Sequence, residues 1–379
     1  MAGIYLHIPF CKQRCTYCDF HFSTNFEKYR EKLILAMSNE LFLRKKEVLE
    51  EIDSIYFGGG TPSLLHKNEF TLLLDTIFTN FTVNPEAEIT IEVNPDDCSE
   101  TKLKDWIDLG VNRLSIGLQS FKEGDLNWMN RSHNAKQGLD AVKNARIAGF
   151  QNVSIDLMYG LPNLSKEEWL LNLSNAIELN PTHISAYCLT IEPKTTIHNW
   201  VLKDKFIPLN EDYQNEQFLD MLDFLSKEGY EQYEISNFAK GGVYAKHNTA
   251  YWEGKYYLGV GPSAHSYDKK SRRWNVSNNN TYWKNVGLNE TWYQEEVLSS
   301  EDKWNELFLT GLRTKWGVLK EKTNEFGGLK EEEDKLIFNY IKDGLIIEME
   351  SAWLLSTKGK MQADGIASSL FRLNKKINN

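Results

Sequence analysis

Short apolar runs alternate with amphipathic stretches through the first half of the chain. Strands are predicted from Ala2 to Ile8, Ile52 to Phe57, Ala87 to Val93, Arg113 to Gly117, Asn152 to Met158 and His183 to Leu189. Between them, apolar residues recur at roughly helical spacing: Tyr29, Leu33, Leu35, Met37, Leu41 and Phe42, mixed with charges, within a helix from Asn25 to about Leu49. Further helices are predicted over His66 to Thr79, Thr101 to Asp108, Ala135 to Ala148 and Lys166 to Glu178. Strand and helix alternating at this pitch predict an α/β fold with a parallel sheet and right-handed crossovers. Six such units suit a partial (β/α)6 barrel. Functional residues of α/β barrels gather at the C-terminal ends of the strands, so one open face should carry the chemistry.

Beyond Pro208 the pattern changes. A helix over Asp212 to Glu228 leads to Tyr233-Glu-Ile-Ser-Asn237-Phe and then to a stretch rich in glycine and aromatics, Gly241 to Trp274. The polar residues Asn275 to Asn280 read as a turn-like linker. From about Glu301 the chain is helical again, and Gly344-Leu-Ile-Ile-Glu with Trp353-Leu-Leu-Ser-Thr-Lys-Gly359 suggests a late two-strand ribbon. The expected organisation is therefore a barrel over 1–235, a segment over 236–300 that closes the barrel and serves as a linker, and a small, mainly helical, winged-helix-like domain over 301–379.

Composition narrows the function. The net charge of −10 argues against general nucleic-acid binding, which depends on Lys and Arg neutralising phosphates. Many winged helices bind DNA, yet residues 301–379 carry 13 acidic and 13 basic side chains, so a lid or docking role is expected there. No apolar run reaches the ~18 residues of a spanning helix, and the start lacks the pattern of a signal peptide. A cytoplasmic protein is the expectation.

Three of the five cysteines fall within eight residues, in Cys11-x3-Cys15-x2-Cys18. An odd number with three clustered fits a metal site in a reducing compartment better than a disulfide framework. Soft thiolates this close suit zinc or an iron–sulfur cluster. Structural zinc wants a fourth protein ligand, which would come from His7, Asp19 or His21. A [4Fe-4S] cluster on three thiolates instead leaves one iron open to an exogenous ligand.

This stretch, with the preceding Tyr5-x-His7-Ile-Pro-Phe10, resembles the signature of radical S-adenosylmethionine (SAM) proteins. Within them it is similar to the group of oxygen-independent coproporphyrinogen III oxidases (dehydrogenases) and HemW heme chaperones. The resemblance implies a [4Fe-4S] cluster on Cys11, Cys15 and Cys18, SAM on its open iron, an electron donor, and reductive cleavage of SAM to methionine and a 5'-deoxyadenosyl radical. Gly58-Gly59-Gly60-Thr61-Pro62 resembles the family motif that contacts the SAM amino group. Glu92, Gln119, Arg131 and Asp156 match the family's pattern for the remainder of SAM, with an acid and an amide for the ribose and methionine parts and an arginine for the carboxylate. Arg suits that role because its planar fork pairs a carboxylate bidentately. Tyr5 and Tyr17 match positions near SAM.

A second motif, His247-Asn248-Thr-Ala-Tyr251-Trp252, is followed by Gly259-Val-Gly261-Pro-Ser-Ala264-His265. The first part resembles a motif of the heme chaperones. Neutral imidazole is the usual axial ligand of heme iron, so the resemblance puts His247 on the iron.

Two departures separate oxidase from chaperone. The oxidases resemble Cys-x3-Cys-x2-Cys-x-Cys, and here the last position is Phe20. They also carry a longer segment before the cluster, where this chain has ten residues. Both point to a chaperone that binds heme and passes it to an acceptor, such as a respiratory enzyme. Porphyrinogen oxidation, or radical SAM chemistry on another small molecule, remains the alternative.

Overall fold

The computed structural model describes residues 2–373. Its main sheet contains β1 (Ala2–Ile8), β2 (Ile52–Gly59), β3 (Val83–Val93), β4 (Arg113–Gln119), β5 (Asn152–Tyr159), β6 (His183–Cys188), β7 (Tyr230–Glu234), β8 (Asn237–Lys240), β9 (Tyr256–Val260), β10 (His265–Tyr267), β11 (Ser271–Asn275) and β12 (Tyr293–Val297). The spatial order is β12-β11-β10-β9-β1-β2-β3-β4-β5-β6-β8-β7. From β9 through β6 every neighbour is parallel, whereas β10 to β12 and β8 with β7 add antiparallel flaps at the two edges.

Each central strand alternates a buried apolar set with a buried, largely polar one: in β4, Leu114, Ile116 and Leu118 have no exposed surface, while Arg113 and Ser115, on the opposite face, are also buried. In β1, Ile4, Leu6 and Ile8 have no exposed surface, and Leu33, Met37 and Leu41 of the helix Arg30–Leu43 are equally buried. Local signals mark the crossover helices. Ala135–Ala148 opens on an Asn134/Gln137 capping box and ends at Gly149, whose φ of 115° suits the left-handed cap. Lys166–Glu178 opens on a Ser165/Glu168 box.

The run Asn275 to Asn280, expected to be a linker, is built into the fold. Asn275 ends β11, is 3 % exposed, and donates to Glu40 Oε1 and the Gly261 carbonyl, both at 2.8 Å. Asn278 caps the helix Asn279–Leu288. The fully buried Glu40 also accepts from Arg44 (3.0 Å), Tyr282 (2.5 Å), Trp292 (3.0 Å) and the Gly261 N–H (2.9 Å). A buried carboxylate is tolerated only when so satisfied, and here its donors pin the β9–β11 flap to the first helix.

The C-terminal part has its own core, centred on Trp304, Phe308, Ile337 and Trp353. Helix Ser300–Gly311, β13 (Val318–Leu319), helices Lys320–Thr323 and Glu331–Lys342, then β14 (Ile346–Glu348) and β15 (Ala352–Leu355) follow a winged-helix order, with the antiparallel sheet arranged β13-β15-β14. The expected ribbon is thus two strands of three. Residues 374–379 of that expected domain lie outside the described residues. Backbone bonds from Ile235 N–H to the Arg313 carbonyl (3.1 Å) and from Lys315 N–H to the Tyr233 carbonyl (3.0 Å) join it to the main sheet. Among the described residues, no helix is long and apolar enough to cross a membrane.

Candidate functional site

The cysteine loop leaves the C-terminal end of β1 and is tied down on several sides. Cys11 N–H donates to the Ser23 carbonyl (3.1 Å), Thr16 N–H to the Met129 carbonyl (3.0 Å), and Lys12 reaches Asp96 (2.6 Å) and Asp97 (2.7 Å). The three cysteines are half-buried free thiols on one cavity of about 800 Å³. Thr61 Oγ1 donates to Cys11 Sγ and Arg131 to Cys15 Sγ, each at 3.5 Å. Burial pushes the Cys11 thiol up to about 11 and the Cys18 thiol to about 12, and neighbouring thiols add to the rise. A bound cationic metal reverses this, since coordination deprotonates thiols. Among the described residues no three His, Cys, Asp or Glu side chains converge as a single metal ion would need. A cubane makes no such demand, because each thiolate takes its own iron. The donor set fits a [4Fe-4S] cluster.

The glycine turn after β2 comes close to this loop because it lacks side chains. A Cβ on Gly60 would stand 2.7 Å from the Phe10 carbonyl oxygen and 2.8 Å from that of Ile8, and Gly60 N–H donates to Ile8 at 2.9 Å. Gly59 has φ +108°, and a Cβ there would meet the His7 ring at 2.7 Å.

Glu92, at the end of β3, accepts from Tyr56 OH (2.8 Å) and Gly59 N–H (3.2 Å). Burial pushes its carboxyl up to about 7, while the Tyr56 bond pulls it down and Asp156 pushes it further up. Asp156, on β5, rises to about 6, again through burial, opposed by hydrogen bonds from Ser185 and Ser115. Gln119 sits at φ 68°, a left-handed conformation uncommon for a side-chain-bearing residue and typical of functional sites. Arg131 donates to Asn94 Oδ1 (3.0 Å) and the Gly117 carbonyl (2.9 Å), and its buried Nε has no partner. An orphaned guanidinium donor beside two carboxyls and a glycine cradle fits an amino-acid-bearing nucleoside such as SAM.

Of the residues expected from the sequence, Tyr17, Gly59, Gly60, Thr61, Glu92, Gln119, Arg131 and Asp156 line this cavity together with the three cysteines. Tyr5 does not. Its hydroxyl meets His7 Nδ1 (3.1 Å) and its ring faces a second cavity. His247 is also elsewhere: it is 2 % exposed, Nδ1 meets Ser54 Oγ and Nε2 meets Tyr251 OH, both at 2.8 Å. Neither nitrogen is open to a metal in this arrangement, and burial lowers its pKa to about 3. Asn94, which the sequence places with Glu92 after the third strand, also lines the cavity, while the rim supplied by Arg313, Lys360 and Gln362 of the C-terminal domain was missed. The distant rim leaves no local signal.

A parallel α/β sheet with three thiols, a glycine cradle and polar strand ends on one face defines a radical SAM protein. Residues 5–173 match the Radical SAM superfamily, a class built around a [4Fe-4S] cluster and SAM. The fold matches coproporphyrinogen III oxidase (HemN) from Escherichia coli, with a TM-score of 0.84, 24 % identity, and coverage of 98 % of this chain and 90 % of that one. Among relatives, the heme chaperone HemW of Bacillus subtilis is 35 % identical over 95 % of this chain and 97 % of its own length. That of Haemophilus influenzae is 32 % identical over 95 % of each, and that of Escherichia coli 38 % identical over 69 % of each. The chain belongs to the heme chaperone HemW family.

Proposed function

We propose that this protein is a heme chaperone that binds heme and transfers it to an acceptor protein. In this reading Cys11, Cys15 and Cys18 hold the [4Fe-4S] cluster, and SAM occupies the same cavity. Arg131 takes the SAM carboxylate on its unpartnered Nε edge, Gly59, Gly60 and Thr61 receive the amino group, and Glu92, Gln119, Asp156 and Tyr17 enclose the remainder. SAM on such a cluster supplies reductive cleavage chemistry. Lys360 and Gln362 of the C-terminal domain line the rim of the cavity. The observation that carries the reading is the near-full-length likeness to HemW of Bacillus subtilis. Phe20 supports it, because a 66 % exposed phenyl stands where an oxidase has a fourth thiol. Five free thiols fit a reducing compartment such as the cytoplasm. A respiratory hemoprotein as acceptor and a reductant for the cluster complete the proposal.

Coproporphyrinogen III, SAM and a reductant, incubated with cluster-reconstituted protein, test it. The expected result is no turnover to protoporphyrinogen, alongside a saturable Soret band on titration with hemin. Stoichiometric or greater protoporphyrinogen formation defeats the chaperone reading.

A further inference from the structure

A second cavity, about 1460 Å³, opens between strands β9 and β10 of the main sheet and the C-terminal domain. Tyr5, Tyr251, Trp252, Tyr257, Tyr267 and Trp316 give it aromatic walls, and on the C-terminal side Lys303 and Lys322 stand with Glu306 and Glu325. Flat aromatic walls suit a planar apolar ligand.

Three histidines line it: His7, His21 and His265. His7 is engaged at both nitrogens, by Tyr5 OH (3.1 Å) and the His21 carbonyl (2.8 Å). His21 Nε2 meets Asn279 Oδ1 at 2.7 Å. His265, the first residue of β10, is exposed, and neither ring nitrogen has a hydrogen bond to a described residue. Its ring lies against Trp274, with centroids 6.3 Å apart and planes at 27°. It is therefore an oriented imidazole with its nitrogens available, which His247 is not.

The two cavities share a wall. Asp19 and Phe20, directly after Cys18, line both. The cysteine loop is thus in reach of either ligand.

Resting on the chaperone reading above, we propose that the second cavity receives the iron tetrapyrrole, with His265 as axial ligand to its iron and Phe20 as the partition from the cluster. The cluster cavity then keeps SAM, and both can be occupied at once.

Hemin titration followed at the Soret band, with wild type, His265→Ala and His247→Ala, tests this. Circular dichroism checks that each variant is folded; His265 is exposed and its loss breaks no hydrogen bond. The expected result is an affinity loss of about tenfold or more in His265→Ala, a changed Soret position, and its restoration by added imidazole. His247→Ala keeps the wild-type band per folded molecule, and SAM does not compete with hemin. A wild-type spectrum and affinity in His265→Ala overturns the assignment, as does competition by SAM, which would place hemin in the cluster cavity. Failure of the wild type to bind hemin at all defeats the chaperone reading itself, and this inference with it.

Discussion

Glu92 shows how single residues at the cavity trade stability for readiness. Its carboxyl is shifted up to about 7 and that of Asp156 to about 6, both chiefly by burial. The unfolded values are about 4.3 and 3.9, so the folded state binds these protons more tightly. That contribution is fully present below the unfolded values and is lost as pH rises through about 6 and then about 7. For Glu92 alone the loss is on the order of 3 kcal/mol. The melting temperature of SAM-free protein should therefore fall between pH 5 and 8, and Glu92→Gln should flatten much of the slope. Scanning fluorimetry against pH measures this, and a wild-type profile flat across that range would refute it. In the proposed site, hydroxyl donors of the SAM ribose would relieve the same charges, so SAM should raise the melting temperature most above pH 7.

At the scale of elements, the helix Lys246–Trp252 shows what sequence can and cannot show. Glu88 caps it, accepting from Lys246 N–H (2.9 Å) and His247 N–H (3.2 Å), and His247 then lies against Tyr56 with ring centroids 5.0 Å apart. The motif announces an imidazole but not that both its nitrogens are taken. His247→Ala leaves the Ser54 and Tyr251 hydroxyls without their partner in the interior and opens a cavity. It should cost about 2–4 kcal/mol, with Ser54→Ala costing about 1. Urea unfolding reads both, and a His247→Ala variant as stable as wild type would show that the helix is pinned by something else. The same limit recurs elsewhere. β1 to β6 were legible because buried apolar residues recur at every second position, as Leu114, Ile116 and Leu118 do in β4. β12 was not, since four of its five residues are exposed. The Asn275 to Asn280 run looked like a linker because composition does not reveal that Glu40, far away in sequence, would satisfy its buried amide. Tyr5, which matches a family position near SAM, shares a strand face with His7, and both rings line the second cavity.

The whole molecule depends on how the C-terminal domain meets the sheet, because it helps to line both cavities. Arg313 is at that junction. It pairs with Glu234 (3.3 Å) and Asp364 (2.9 Å), and its guanidinium lies 5.4 Å from the Trp252 ring centre. The Asp364 pair is worth little, since that carboxylate is 77 % exposed and well solvated. The Glu234 pair differs, because its carboxylate side chain is only 1 % exposed. Asn237 (2.7 Å) and the Ser236 N–H (3.1 Å) would still hold that charge after the arginine is removed. Arg313→Ala should therefore cost about 2–3 kcal/mol, below the ~3–5 expected for a wholly stranded buried charge. The loss should be felt at the junction, not in the sheet. Hydrogen exchange at the Ile235 and Lys315 amides, which form the backbone bridge, should quicken while β1 to β5 stay protected. Since Arg313 lines the cluster cavity and Trp252 the second one, SAM and hemin affinity should fall together. Loss of one without the other, or unchanged exchange at the bridge, would show that the domain is held by contacts independent of Arg313.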